Sequence, residues 1–191
     1  MTPLQAIGIV WAGWLISWIA ASLWSNRTET RPRFGSQLLY EALTRIGALM
    51  LLLSEVRPER QPRLWHTGDA FGWLLVLATL LGVLFAWWAR IHLGRLWSSR
   101  VTKKADHHVV DTGPYRLVRH PIYTGIIFAT VATMIAEGSV FAVVGAALMV
   151  VGWYVKARLE ERFLRAELGA TAYADYARRV PMLIPFARAG H

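Results

Sequence analysis

Five apolar segments, at roughly residues 3–24, 37–54, 70–91, 122–136 and 139–156, constrain this chain more than any other feature of it. Crossing the hydrocarbon core of a bilayer takes about 20 apolar residues in a helix. The first and third segments meet that length, and the second is somewhat shorter. The last two form one apolar stretch interrupted at Glu137-Gly138-Ser139. A single helix over the whole stretch overshoots a membrane by a wide margin, so a helical hairpin turning at those three residues is expected. The fold class predicted is therefore an all-α integral membrane protein with about five transmembrane helices.

A chain of 191 residues suits one domain spanning 1–191, with three N-terminal spans in 1–91 and the remaining polar mass in 94–121 and 157–191. No signal-peptide cleavage pattern follows the first apolar run, which is expected to stay as a span. Cysteine is absent, which removes disulfides, thiolate metal sites and cysteine nucleophiles from consideration. The net charge of +9 suggests nucleic acid in a soluble protein; here the basic residues lie between apolar runs and fit an anionic membrane surface, with no nucleic-acid partner. Arg95, Arg100, Lys103, Lys104, Arg116 and Arg119 precede the hairpin, and Arg158, Arg162, Arg165, Arg178, Arg179 and Arg188 follow it. With five spans both groups share one side with Arg27, Arg31 and Arg33, while Arg57, Arg60 and Arg63 lie opposite. The excess of basic residues places the loop and tail in the cytosol and the N-terminus outside. Trp11, Trp14, Trp65, Trp73, Trp87, Trp88, Trp97 and Trp153 fall mostly near span ends, as interfacial anchors do.

Two polar constellations flank the hairpin. The first is Thr112-Gly-Pro-Tyr-Arg-Leu-Val-Arg-His-Pro-Ile-Tyr-Thr-Gly125. Gly113-Pro114 is a turn signal, and Pro121 biases His120 away from helical geometry while suiting the first turn of a helix. The fourth span should start near Pro121, its N-terminus attractive to anions and surrounded by Arg116, Arg119 and His120. Binding of lipid phosphates accounts for those cations equally well, and Gly125 would then ease helix packing. The second constellation runs from Lys156 to Phe186, with Glu160 and Glu161 where the last span leaves the membrane, then Tyr173, Tyr176, Arg178 and Arg179. An amphipathic helix with Glu161 paired to Arg165 at i, i+4 is the plain account of it. Adjacent carboxylates cannot share the centre of one helix face, however, so one of them must turn toward a neighbour.

The hairpin returns both constellations to the same membrane face. One offers cations and a helix N-terminus, the other carboxylates and tyrosines. Such a pocket suits a small zwitterionic ligand with an aromatic part: a carboxylate against the arginines, an ammonium or hydroxyls against a glutamate.

The paired motifs, from Gly113-Pro-Tyr-Arg through Glu160-Glu161 to Tyr173-Ala-Asp-Tyr-Ala-Arg-Arg179 and Pro185, resemble the isoprenylcysteine carboxyl methyltransferase family over about residues 92–186. Leu93–Ser99 resembles the family's segment before the loop. The wider superfamily also holds phospholipid N-methyltransferases and, more distantly, NADPH-dependent sterol reductases. The resemblance implies S-adenosylmethionine as cofactor, with Tyr115, Arg119, His120, Pro121, Tyr123 and Gly125 helping to form its pocket. Glu160 and Glu161 would close the pocket, and Tyr173, Tyr176 and Arg178 would lie in the tail that covers it. It further implies methyl transfer to a lipophilic or lipidated acceptor entering from the bilayer, in first place an isoprenylcysteine-like carboxylate, at the cytosolic face of a bacterial or archaeal plasma membrane.

A carboxylate acceptor is ionised at neutral pH and needs no base, but burial demands a cation beside it. Arg119 is the first candidate for that clamp and Arg178 the second. An amine acceptor would need a base such as Glu160. A reductase, or a lipid-binding scaffold without activity, is the competing class. Glu41 and Arg45, one turn apart within the second span, are read as a self-neutralising pair; His107 and His108 form no ligand set, and no metal is expected. His92 fits an interfacial position as well as a place beside the site.

Overall fold

The computed structural model describes residues 1–22, 28–30, 34–56, 62–94, 103–104, 110–167 and 170–187. Arg27, Arg31, Arg33, Arg57, Arg60, Arg95, Trp97, Arg100, His107, His108 and Arg188 lie outside that set. Among the described residues six α-helices carry the fold: α1 (Pro3–Ser22), α2 (Phe34–Val56), α3 (Asp69–Leu93), α4 (Pro121–Glu137), α5 (Val140–Glu167) and α6 (Ala170–Arg179). Within α1, α2, α3 and α5 lie four segments long and apolar enough to cross a membrane; α4, 17 residues long, is the shorter fifth. The chain is a helical membrane protein of the expected kind. Beyond the apolar run that ends at 156, α5 continues unbroken through Glu160 and Glu161 to Glu167. Its 28 residues make about 42 Å, longer than the roughly 30 Å hydrocarbon core, so its last turns stand clear of the lipid.

The packing is that of a bundle solvated by lipid. Large apolar side chains such as Ile9, Ile16, Leu74 and Ile91 point outward, while Ala86, Ala89, Ala129, Ala142 and Ala157 are buried. Without a hydrophobic drive between helices, association in lipid depends on small residues that let backbones approach. Helix α3 packs along α4, and α2 along α5. At the first contact Gly82 faces Gly125 so closely that a Cβ on Gly82 would lie 2.6 Å from the Gly125 carbonyl. Gly47 and Gly145 play the same part between α2 and α5.

The turn at Glu137-Gly138-Ser139 follows from its residues. Gly138 adopts left-handed backbone (φ 61°, ψ 24°) and ends α4, its N–H donating to the Met134 carbonyl at 3.0 Å. The Ser139 hydroxyl accepts the Ala142 N–H at 3.0 Å, closing the first turn of α5. At this end Arg63 bridges to Ser139. At the other end β1 (Thr28–Thr30) pairs antiparallel with β2 (Lys103–Lys104), which brings the connections after α1 and after α3 together. The connections thus alternate between two ends of the bundle, as five antiparallel spans require, and both polar constellations emerge at the end that carries the β1–β2 ladder.

Candidate active site

The site is assembled at the start of α4. Gly113–Arg116 forms one 3-10 turn, and Pro121 is the first residue of α4, with His120 as its N-cap in non-helical backbone. The chain after α6 then runs back across this corner. The Arg119 N–H donates to the Pro181 carbonyl at 2.9 Å, the His120 N–H to Met182 at 3.1 Å, and the Thr124 hydroxyl to Leu183 at 2.7 Å. The Tyr176 hydroxyl donates to the Tyr115 carbonyl at 2.7 Å. The tail therefore occupies the backbone donors just ahead of α4.

Under that strap lies a buried ionic cluster. Arg119 meets Glu161 bidentately, Nε to Oε1 at 2.6 Å and Nη2 to Oε2 at 3.1 Å, while Nη1 donates to the carbonyls of Ala177 (2.6 Å) and Val180 (2.8 Å). Both side chains are almost wholly buried, the arrangement in which losing one partner costs about 3–5 kcal/mol. The Tyr173 hydroxyl donates to Glu161 Oε1 at 3.1 Å. His120 stands between two carboxylates, Nε2 3.2 Å from Glu161 Oε1 and Nδ1 3.4 Å from Glu160 Oε2. Burial works against a charged imidazole, but the hydrogen bonds and charges of Glu160 and Glu161 outweigh it and hold His120 above its ordinary pKa. Burial, reinforced by the nearby carboxylates, pushes the phenols of Tyr115 and Tyr173 up; Tyr176 is raised by burial despite the opposing Arg119 charge. All three stay neutral hydrogen-bond donors.

Glu160 and Glu161 thus both reach the same imidazole, each to a different ring nitrogen, instead of dividing between site and surface. Glu160 is the more open of the two, with 19% of its side chain accessible, and it accepts the Tyr123 hydroxyl at 2.5 Å. Tyr123 stacks on His120 (5.4 Å between centroids, 4° between planes) and on Trp153 (4.9 Å, 28°).

Of the residues singled out in the sequence, Arg119, His120, Tyr123, Glu160, Glu161 and Tyr173 come together in this cluster, and Tyr176 ties the strap to it. Tyr115 sits beside it against α3, stacked on His92, whose Nε2 lies 2.8 Å from the Thr112 hydroxyl. Pro121 is buried as the start of α4, and Gly125 faces α3 rather than the acids. Arg178 stands apart: its side chain is 66% exposed and paired with Asp175. Arg119 is inside, but all three of its nitrogens already donate to Glu161 and the tail. The pairs Glu41–Arg45 (2.6 Å) and Glu161–Arg165 (3.6 Å) are present, the second as a side branch of the buried cluster. No group able to hold a metal ion occurs among the described residues. What the sequence reading passed over is Lys156, buried beside the cluster among three aromatic rings. Its signal was a charge at the very end of the last apolar run, one helical turn before Glu160.

Residues 74–166 match the model of the isoprenylcysteine carboxyl methyltransferase (ICMT) family. Among similar proteins are methanethiol S-methyltransferase 2 of Bradyrhizobium diazoefficiens, 38% identical over 73% of this chain and 57% of that protein, and a methanethiol S-methyltransferase of a Pseudomonas species, 33% identical over 60% and 42%. Protein-S-isoprenylcysteine O-methyltransferase B of Arabidopsis thaliana is 28% identical over 56% of the chain and 55% of its own. The chain spans about half the length of the relatives it matches. The matched region begins within α3, takes in the motif at the start of α4, and ends after the glutamate pair, so that over the stretch that builds the site this chain is similar to the ICMT family.

Proposed function

We propose that the chain is a membrane methyltransferase that uses S-adenosylmethionine and methylates a small apolar nucleophile, in first place a thiol. The observation that carries this reading is the group formed by Glu160, His120, Tyr123 and Trp153 at the lipid boundary beneath the tail. Its chemistry fits the cofactor. Glu160, with 19% of its side chain accessible, offers a carboxylate to an ammonium or ribose hydroxyls. The indole N–H of Trp153 is buried without a hydrogen-bond acceptor and supplies a donor for a carboxylate. Glu161 and Arg119 hold His120 and the tail in place around them.

S-adenosylmethionine, when bound, supplies an electrophilic methyl group on a sulfonium: the methyl–sulfur bond breaks, its electron pair stays on that sulfur, and the acceptor's lone pair forms the new bond. The protein's part is to exclude water and align the acceptor; alignment alone contributes about 7–11 kcal/mol in favourable cases. A thiol attacks as the thiolate. Its proton passes to solvent before the acceptor is enclosed, since Glu160 is committed to the cofactor, Tyr123 and His120. The thiol reading draws support from the two relatives named for methanethiol, at 38% and 33% identity, and from Arg119, whose donors are committed elsewhere. An isoprenylcysteine-type carboxylate is the second reading, favoured by the relative at 28% identity. The basic end of the bundle faces the cytosol, following the distribution of arginine and lysine.

Calorimetry on detergent-solubilised protein should show binding of S-adenosylmethionine, weakened about tenfold or more by Glu160→Gln, the scale of one lost charge-assisted hydrogen bond. Absence of binding by the intact protein, with NADPH bound instead, would establish the reductase class. Methyl transfer to methanethiol, N-acetyl-S-farnesylcysteine and phosphatidylethanolamine then separates thiol, carboxylate and amine acceptors.

A further inference from the structure

The strap that crosses the start of α4 has two sides. Met182 and Leu183 turn inward and pack against the core of the bundle. Just beyond them Ile184 is 70% exposed and Phe186 92% exposed, the latter more than any other large apolar side chain among the described residues. The Ala187 N–H donates to the Ile184 carbonyl at 3.2 Å, which closes a tight turn with Pro185 and Phe186 at its tip. Phe186 has left-handed backbone (φ 63°), at a turn position that ordinarily favours glycine. That conformation is strained for a bulky residue, and here it carries an aromatic ring away from the protein.

The strap's bonds fix where this turn stands. The Thr124 hydroxyl donates to the Leu183 carbonyl at 2.7 Å, so the chain leaves the site alongside the first turn of α4. Thr124 and Phe128, four residues apart, share one face of that helix. Phe128 is 53% exposed, which makes this face a lipid-facing one. Ile184 and Phe186 thus continue the lipid-exposed surface of the bundle. At the same end Arg116, Arg158 and Arg162 are exposed. Arg178 and Arg179, which directly precede the strap, are exposed as well, each paired with an aspartate. Apolar side chains at a span end with arginines behind them match the order of layers at a membrane surface, acyl chains and then anionic headgroups.

We infer that the Ile184–Ala187 turn is a membrane wedge: Ile184 and Phe186 insert into the leaflet at the basic end of the bundle, and the lipid seats the strap over the buried ionic cluster. The partner is the bilayer itself, at the boundary between anionic headgroups and acyl chains. The inference concerns how the tail is held and does not rest on the methyltransferase reading. Its consequence reaches the site, because Arg119 donates to the carbonyls of Val180 and Pro181 and His120 to that of Met182, all in the segment the wedge would hold down.

The test uses the full chain in nanodiscs of phosphatidylcholine and phosphatidylglycerol. The chain has no cysteine, so a nitroxide attached to Ala187→Cys reports on the turn with Ile184 and Phe186 intact. Phe128→Cys and Arg178→Cys, both at exposed positions, are the lipid and water references. Power saturation with oxygen and with a water-soluble nickel chelate reads the surroundings of each label. The label at 187 should favour oxygen over nickel as at Phe128→Cys, the opposite of Arg178→Cys. Adding Phe186→Asp should shift its oxygen-to-nickel ratio toward water by about tenfold or more, the scale of one apolar side chain withdrawn from lipid. Hydrogen exchange at the Arg119 and His120 amides should quicken in the same variant. A label at 187 that behaves as at Arg178→Cys overturns the inference. Shielding from oxygen and nickel alike would put a second copy of the chain over the turn and overturn it too. A label moved into water with unchanged exchange at Arg119 and His120 would overturn the seating of the strap. Should Phe186→Asp fail to fold, the depth of the label in Ala187→Cys alone still decides.

Discussion

His120 is held between two carboxylates with Arg119 and Tyr123 as its other polar neighbours, and this fixes how the cluster responds to pH. Its pKa in the folded protein is raised above the ordinary value near 6.5. A group whose folded pKa exceeds its unfolded one adds stability that is fully present below the unfolded value and is lost as pH rises through the folded value. The thermal midpoint in detergent should therefore fall as pH is raised upward from about 6.5, and His120→Gln should flatten that dependence. An unchanged slope in the variant would show that His120 is not the titrating group. The neutral tyrosines around it extend the same design, since Tyr123 and Tyr173 donate to the two carboxylates without adding charge.

Helix α4 is short, about 26 Å by its 17 residues, and is pinned at both ends: by the strap over Arg119, His120 and Thr124 and by Gly138 at the turn. Its position against α3 depends on the Gly82–Gly125 contact, where a Cβ on Gly125 would meet the Gly82 carbonyl and lie 2.9 Å from the Ala86 N atom. Both obstacles are backbone and cannot swing aside. Gly125→Ala should destabilise by about 1–3 kcal/mol, read as a lower unfolding midpoint, whereas Gly13→Ala in α1, with nothing within 4 Å of the added atom, should not. Equal midpoints for the two variants would mean that α3 and α4 separate freely. The elements themselves were readable in the sequence because apolar length, Pro121 and Gly138 are local signals. The extension of α5 to Glu167 was less so, because its polar last turns lack an apolar run.

At the scale of the whole molecule the two ends of the bundle should face opposite sides of the membrane. The chain has no cysteine, so single cysteines report cleanly. In intact cells an impermeant maleimide should label Arg63→Cys and reach Arg116→Cys only after lysis, both positions being exposed; the reverse pattern would invert the proposed orientation. That the two motifs meet was legible once the hairpin was seen, since its topology returns α5 to the start of α4. How they meet was not. Successive residues on a helix diverge by about 100°, yet Glu160 and Glu161 converge on His120 because its ring offers a nitrogen to each side. Arg178, the second clamp by sequence, turns outward to Asp175, and the Tyr40 ring reaches Lys156 from α2, far away in sequence. The amino-acid sequence by itself determined the spans, the turn and the shared end of the bundle, because burial in lipid acts on local apolar length and local backbone freedom. Only the tertiary structure decided which charges pair and that the Lys156 ammonium lies among three aromatic rings, because those partners come from different helices and from an irregular tail whose path no periodicity records.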